Sequence, residues 1–442
     1  MLFKLGKYDL KLWFIIVVAL YTHTIMFKQL RIVTYVYAYG VPLAYLFVHI
    51  NQVFYELDKL LKGRFVFFSA FAFFVLFGTV LAPLVNASND FTFIFHGPVK
   101  RMFFSLLMNL FLLLLYKNAV TKEVDVIEYI LYIVFANVFY VLGTVLICAA
   151  PSIHDFILNN IYMDEIAQNA ASKSFYYTRI GWSGYSSFVP SFYCSISIAL
   201  CVVFALASSG EKVFNISNIL FLCMMVGCFC YARTGIISSV ICIALYLAFL
   251  IKRGDIKVLS YPVLLVLIVV IFGILVESND IIKNWYQWGF AQVISYKETG
   301  SFETETISSL LNMYKTMPEG VTWLIGDGRY TSDTGFYYKS VDVGWLRTVF
   351  YYGVFFSLCQ YGALISLIRG FTVNLRFRIG RQGERLLRLM MLAVFLVFES
   401  KGEIWYVMIT FLLPLLLLQE DEKEARFSLA HIGKIPFMYG GT

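Results

Sequence analysis

The stretch GDGRYTSDTGFYYKSVDVGWLRTVFYYG, residues 326–353, changes character halfway along. Its first half is polar and broken by glycines. Its second half is apolar, with Arg347 set inside it, and opens an apolar run over 344–368. A helix needs ~20 apolar residues to cross ~30 Å of hydrocarbon, so this run reads as a membrane span. The stretch is therefore a junction between a polar loop and a buried helix, and an arginine at such a depth calls for a reason.

Working outward, the same reading applies along the chain. Of its 442 residues 60% are hydrophobic and only 14% charged, with a mean hydropathy of +0.75. Such a composition belongs to a protein whose main solvent is lipid. Apolar runs lie at about 12–27, 32–55, 65–85, 101–116, 129–150, 188–208, 213–231, 234–251, 258–277, 344–368, 386–399 and 404–418. They are continuous rather than alternating, which predicts helices and not the strands of a transmembrane barrel. The expected fold is an all-α polytopic membrane protein of about twelve spans, with residues 1–442 forming one membrane domain. Lys4, Lys7 and Lys11 precede the first run, but no small-residue cleavage pattern follows it, so it reads as a retained helix.

Orientation follows from basic residues, which favour the cytoplasmic side of short loops. Residues 369–388 carry Arg369, Arg376, Arg378, Arg381, Arg385 and Arg388 against the single Glu384, and read as a cytoplasmic loop. Counting outward places Lys59, Lys62 and Arg64, then Lys252, Arg253 and Lys257, on the same side, with both termini inside. The acidic QEDEKEA at 419–425 and the remainder of 419–442 read as a solvated cytoplasmic tail. Two long segments, 151–187 and 278–343, then face outward. The second exceeds ordinary connection lengths, which marks it as the working part.

Several classes are excluded. The net charge of +7 is spread over membrane anchors rather than gathered on an accessible face, so nucleic acid is not the partner. The eight cysteines fall in or beside apolar runs and none in the two long external segments, which argues against disulfide stapling. No external cluster has metal-ligand spacing, and no cofactor motif is present.

The long external segment is rich in Trp, Tyr and Phe, including WYQWGF at 285–290. Aromatic rings stack on sugar faces, and they equally form belts at the headgroup level. The segment holds eight acidic residues against five basic ones, which suits a neutral or cationic polar ligand better than a polyanion. Here and at the following junction, Arg329, Asp333, Tyr337 and Trp345 are the candidate sugar contacts. Gly326-Asp327-Gly328 reads as a turn.

Three arginines share a position just before or inside the first turn of a helix that starts at the outer face. They are Arg179, before GWSGYSS; Arg233, in CYARTGIISS with Thr234 as a plausible N-cap; and Arg347, one turn after Asp342. A helix N-terminus carries a partial charge of roughly +0.5, and a guanidinium offers forked donors matched to phosphate. The alternative is that each simply snorkels to the interface. Arg233 weighs most, since positive charge is disfavoured on short external loops.

ARTG at 232–235 and DVGWLRTVFYYG at 342–353, placed in this topology, resemble the bacterial O-antigen and capsular polysaccharide polymerases, within the group that includes the O-antigen ligases. The resemblance covers nearly the whole chain as architecture and implies a C-type glycosyltransferase fold in the bacterial inner membrane. The implied substrates are undecaprenyl-diphosphate-linked repeat units at the outer leaflet. The growing glycan is transferred to the next unit with inversion, without metal or cofactor, and a chain-length regulator and a repeat-unit flippase are the implied partners. Arg179, Arg233 and Arg347 would hold the departing diphosphate. Asp342 is the first candidate for general base and also a candidate N-cap; Glu403 is the second and also a candidate ion-pair partner of Lys401 or Arg347, with Asp333 and His154 behind them. The ligases resembled here carry a histidine in the large external loop. This chain has none between 278 and 343, its five being His23, His49, His96, His154 and His431, which favours polymerase over a ligase-type transferase. A flippase or transporter of lipid-linked sugars stays open as a different class, although inverted repeats are not evident.

Overall fold

A computed structural model of the chain describes residues 2–5, 8–62, 66–121, 123–163, 165–173, 179–185, 188–208, 211–254, 277, 280–301, 305–333 and 335–432. Among these the protein is an all-α membrane protein, relieved only by two two-stranded ladders, Leu2–Leu5 with Tyr8–Lys11 and Ile180–Gly181 with Gly184–Tyr185. Among the described residues seven helices are long and apolar enough to cross a membrane: Arg31–Val48, Val66–Val85, Thr92–Val120, Val126–Ala149, Phe188–Ala207, Arg233–Lys252 and Gly344–Asn374. Large apolar side chains such as Ile32, Phe47, Phe67 and Phe73 stand exposed on the outer helices, as a lipid-facing surface requires. Phe188–Ala207 is the most enclosed span, packed against Val126–Ala149, Glu211–Tyr231, Arg233–Lys252 and Arg376–Glu399. No disulfide joins the eight cysteines.

Residues 258–276 of the expected span 258–277, together with Arg64 and Lys257, lie outside the described residues. The first expected span is shorter than read. Its helix is Leu12–Thr22, 11 residues, and stops where the His23 side chain turns inward to Asn137 at 3.0 Å. Residues 369–388 are mostly helical: helix Gly344–Asn374 ends at Leu375, and Arg376–Glu399 follows with a break at Gly380, φ 74° and ψ 170°. The basic side chains there are paired with carboxylates, Arg376 with Glu384 at 3.1 Å, Arg388 also with Glu384, and Arg378 with Asp125 at 3.3 Å and with Glu422.

The acidic stretch is likewise largely unsolvated over 419–422, while Glu424 is exposed and 433–442 lie outside the described residues. Helix Trp405–Ile432 carries Asp421 to Lys117 at 2.7 Å and to Lys59, while both lysines also meet the buried Glu56. Opposite charges brought to one end of a bundle satisfy each other rather than water. This network puts Lys59, Lys117, Arg378 and the acids at 420–422 at a single end of the molecule, so the grouping of Lys59 with the arginine-rich segment is seen directly.

The opposite end is organised by a break in helix Gly344–Asn374. Gly353 adopts φ 81° and ψ 177°, which interrupts the hydrogen-bond ladder and frees carbonyls one turn earlier. The turn at 326–328 supplies the missing donors: Asp327 N–H donates to Phe350 O at 2.6 Å and Gly328 N–H to Tyr351 O at 3.0 Å. Gly326 and Gly328 both have positive φ, as this turn demands. A second interruption is closed nearby, since Pro83 deprives Thr79 O of its helical donor and the Tyr351 hydroxyl takes that place at 2.9 Å. Backbone groups at membrane depth must find such partners.

Gly353→Ala is therefore expected to lower the melting temperature of the detergent-solubilised protein. The residue is held at positive φ and its new Cβ would lie 2.2 Å from Leu324 O; strain of this kind costs of order 1–3 kcal/mol. Gly289→Ala, whose added methyl meets open space, is the control and should melt unchanged.

Candidate functional site

The outer loop is pinned before it reaches the site. Asp90 accepts hydrogen bonds from Tyr330 N–H at 2.7 Å, Thr331 N–H at 3.0 Å and Thr92 N–H at 2.9 Å. Burial alone would raise its pKa, but these bonds outweigh burial and hold it below the usual carboxylate value. Ser88 adds a bond to Gly328 O at 2.5 Å. The polar half of the opening stretch is thus fastened to 82–92 on one side and to the broken helix on the other.

That fastening delivers Tyr330 and Tyr337 to Arg347. The guanidinium carbon lies 4.2 Å from the centroid of the Tyr330 ring and 3.9 Å from that of Tyr337, so the cation is flanked by two aromatic faces. Its Nη1 pairs with Glu403 Oε2 at 3.1 Å, and the Tyr330 hydroxyl donates to the same oxygen at 2.6 Å. Arg347 is 7% exposed and Glu403 9%. Nε and Nη2 of Arg347 and Oε1 of Glu403 are buried with no hydrogen-bond partner. Burying an ion pair with half its hydrogen-bonding capacity unmet is costly, and such groups concentrate at functional sites.

Glu403 is positioned by a strapped turn. Glu399 Oε2 accepts from Ile404 N–H at 2.9 Å and Trp405 N–H at 3.2 Å, capping the last helix, and Oε1 accepts from the Tyr361 hydroxyl at 2.9 Å. Tyr314 donates to Ser400 O at 2.8 Å. Of the alternatives for Glu403, the ion pair with Arg347 is the one observed.

Asp342 joins this cluster and does not cap the following helix. The cap position is Val343, with no side-chain cap bond. Burial pushes the Asp342 carboxyl up to about 6; Arg347 and Lys401 pull it down, and Glu403 pushes it up further. A carboxylate with such a pKa is partly protonated near neutrality and is suited to proton transfer. Thr234 is not a cap either, since the helix starts at Arg233 with Ala232 as its cap residue.

Arg179 and Arg233 lie together in a neighbouring cluster. Their guanidinium carbons stand 4.2 Å and 4.6 Å from the centroid of the same Trp288 ring, and Arg179 donates to the Tyr185 hydroxyl at 3.1 Å. The partners of Arg347 do not include either of them. The start of helix Phe188–Ala207 touches both groups: Ser191 abuts Gly235 beside Arg233, and Phe188 packs on Gly402 beside Glu403. Arg179 and Arg233 thus meet on Trp288, while Arg347 meets Tyr330, Tyr337 and Glu403.

The remaining candidates separate. Tyr337 is at the site through Arg347. Trp345 packs with Leu310, Met313 and Tyr314 in a small apolar cluster. Arg329 and Asp333 pair with each other at 3.6 Å on the surface, Asp333 being 96% exposed. His154 is buried in helix Pro151–Asn160 and its nearest acid is Asp155 at 3.7 Å. Among the described residues no three His, Cys, Asp or Glu side chains are grouped for a metal ion.

One residue absent from the sequence reading stands beside the site. Arg101, in the first turns of helix Pro98–Leu115, lies within electrostatic reach of Tyr406, Tyr330 and Tyr337. It meets the same criterion that singled out the other three arginines, an arginine just inside the outer start of a span, and PVKR at 98–101 carries that signal. Compared with known proteins, the chain matches no family model and no curated protein sequence.

Proposed function

We propose that the protein is a membrane-embedded polysaccharide polymerase, a glycosyltransferase that moves a growing lipid-diphosphate-linked glycan onto the next lipid-linked repeat unit. On this reading the chain has twelve spans in a C-type glycosyltransferase arrangement in the bacterial inner membrane, both termini cytoplasmic and the site facing outward. The observation that carries the proposal is the buried Arg347–Glu403 pair, with donors to spare and Asp342 beside it, under an aromatic loop. Asp342 takes the proton of the acceptor hydroxyl as its oxygen attacks the anomeric carbon. The bond from that carbon to the lipid diphosphate breaks, and Arg347 neutralises the charge that develops on the departing phosphate. Glu403 and Tyr330 keep the guanidinium in place between turnovers. Arg179 and Arg233, held on Trp288, form a second basic group for the diphosphate or its lipid neighbour at the same end.

The test is direct. Purified protein given lipid-linked repeat units in detergent should lengthen them into a ladder of products. Failure to lengthen them, combined with movement of the same lipids between leaflets of a vesicle, would replace this reading by that of a transporter.

A further inference from the structure

A cavity of about 550 Å³ lies beside the Arg347 cluster. It is bounded at one end by His96, Lys100 and Arg101, and no aspartate or glutamate lines it. None of these three basic residues makes an ion pair among the described residues. By contrast, Lys59, Lys117, Arg347 and Arg378 each meet a carboxylate. These three side chains are exposed at the cavity's edge, and basic groups gathered there with no acid opposite give it an electropositive mouth suited to an anion.

The other end of the cavity has the opposite character. Along helix Pro98–Leu115 the lining residues run Lys100, Phe104, Met108 and Leu112, one face at four-residue spacing. From first to last they span roughly 18 Å at 1.5 Å per residue, passing from charged to mainly apolar, with Ser105 and Asn109 beside them. Tyr35 and Tyr39, on the outer helix Arg31–Val48, form a side of the same cavity, and Tyr35 is half exposed among the exposed Ile32, Val33 and Val36. The cavity therefore borders the lipid-facing surface.

From this gradient we propose that the cavity seats a phosphate-bearing lipid, its phosphate on Lys100, Arg101 and His96 and its chain along Phe104, Met108 and Leu112. This deepens the polymerase reading and rests on it for one point. That reaction joins two lipid-linked molecules, so it needs two phosphate seats, and Arg101 reaches Tyr330 and Tyr337, the rings that flank Arg347. The second lipid would thus enter with its headgroup facing the reacting centre.

The experiment measures binding, not turnover. The full-length protein in nanodiscs is titrated with a polyprenyl phosphate and followed by native mass spectrometry, with the unphosphorylated polyprenol and inorganic phosphate as comparison probes. Lys100→Gln/Arg101→Gln should weaken binding about tenfold or more, since charge-assisted contacts to phosphate are lost. Met108→Trp, which fills the apolar stretch and leaves the charges, should weaken it as well and covers the case in which the double variant fails to fold. Arg347→Gln should keep this binding while losing elongation, so failure of the polymerase reading and failure of the lipid seat are told apart. Equal binding of polyprenol, full displacement by inorganic phosphate, or unchanged affinity in both cavity variants would overturn the assignment.

Discussion

Arg347→Ala is expected to reduce glycan elongation by at least about 10²–10³-fold, the usual loss when one preorganised donor to a developing oxyanion is removed. The same change leaves Glu403 buried without its cation, and breaking such a pair costs about 3–5 kcal/mol, so a fall in activity alone would be ambiguous. Two companions resolve it. Arg347→Lys keeps the charge but loses the fork and the planar stacking between Tyr330 and Tyr337, and should melt near the parent while remaining strongly impaired. Arg347→Met/Glu403→Gln removes both charges, and should recover much of the stability without recovering elongation. Readouts are the product ladder from lipid-linked repeat units and the melting temperature in detergent. Near-normal ladders in the double variant would remove this pair from the chemistry and leave it a packing feature.

The membrane-spanning helices were legible because hydrocarbon imposes a requirement that a single chain must answer locally: a long apolar run. Where a boundary depended on a distant partner, the sequence could not show it. His23 ends the first helix by bonding Asn137, and the acids at 420–422 fold back because Lys59, Lys117 and Arg378 arrive from three other segments. The site was half legible. Arg347, Glu403, Asp342 and Tyr337 fall together, and all four are singled out by residue type and place in the topology. What could not be read is how the loop is registered on the helix. That depends on Gly353 freeing two carbonyls that the 326–328 turn then covers, and on Asp90 holding Tyr330 from a segment 240 residues away. Arg179 and Arg233 satisfied the same local rule as Arg347, yet they meet on Trp288 while Arg347 lies between Tyr330 and Tyr337, a choice of partners that helix-end patterns do not encode. Arg101 is the converse case, a residue whose local signal was present in PVKR and whose importance comes from the cavity it borders.

A second large effect is expected from pH. If Asp342 is the base that takes the acceptor proton, elongation should fall as pH drops through about 6, approaching a tenfold loss per pH unit below that point, because only the ionised carboxylate accepts the proton. Asp342→Asn should remove about 10²–10⁴-fold of activity. Stability should move the other way. Burial raises this carboxyl above its unfolded value, so folding favours the protonated form; its contribution is full below the unfolded pKa and is lost as pH rises through about 6. A merely structural aspartate would give the stability trend without the activity limb. The neighbouring charges supply a further check with signs already determined. Lys401 holds the Asp342 pKa down and Glu403 holds it up. Lys401→Gln should therefore carry the acid limb of the rate profile to higher pH while the maximal rate is retained, since Lys401 has no assigned part in the chemistry. Removing the Glu403 charge should carry whatever rate survives in the opposite direction. An acid limb that stays in place when Lys401 is neutralised, or a profile that is flat between about pH 5 and 7, would assign the proton to another group and leave Asp342 as a half-buried acid beside Arg347.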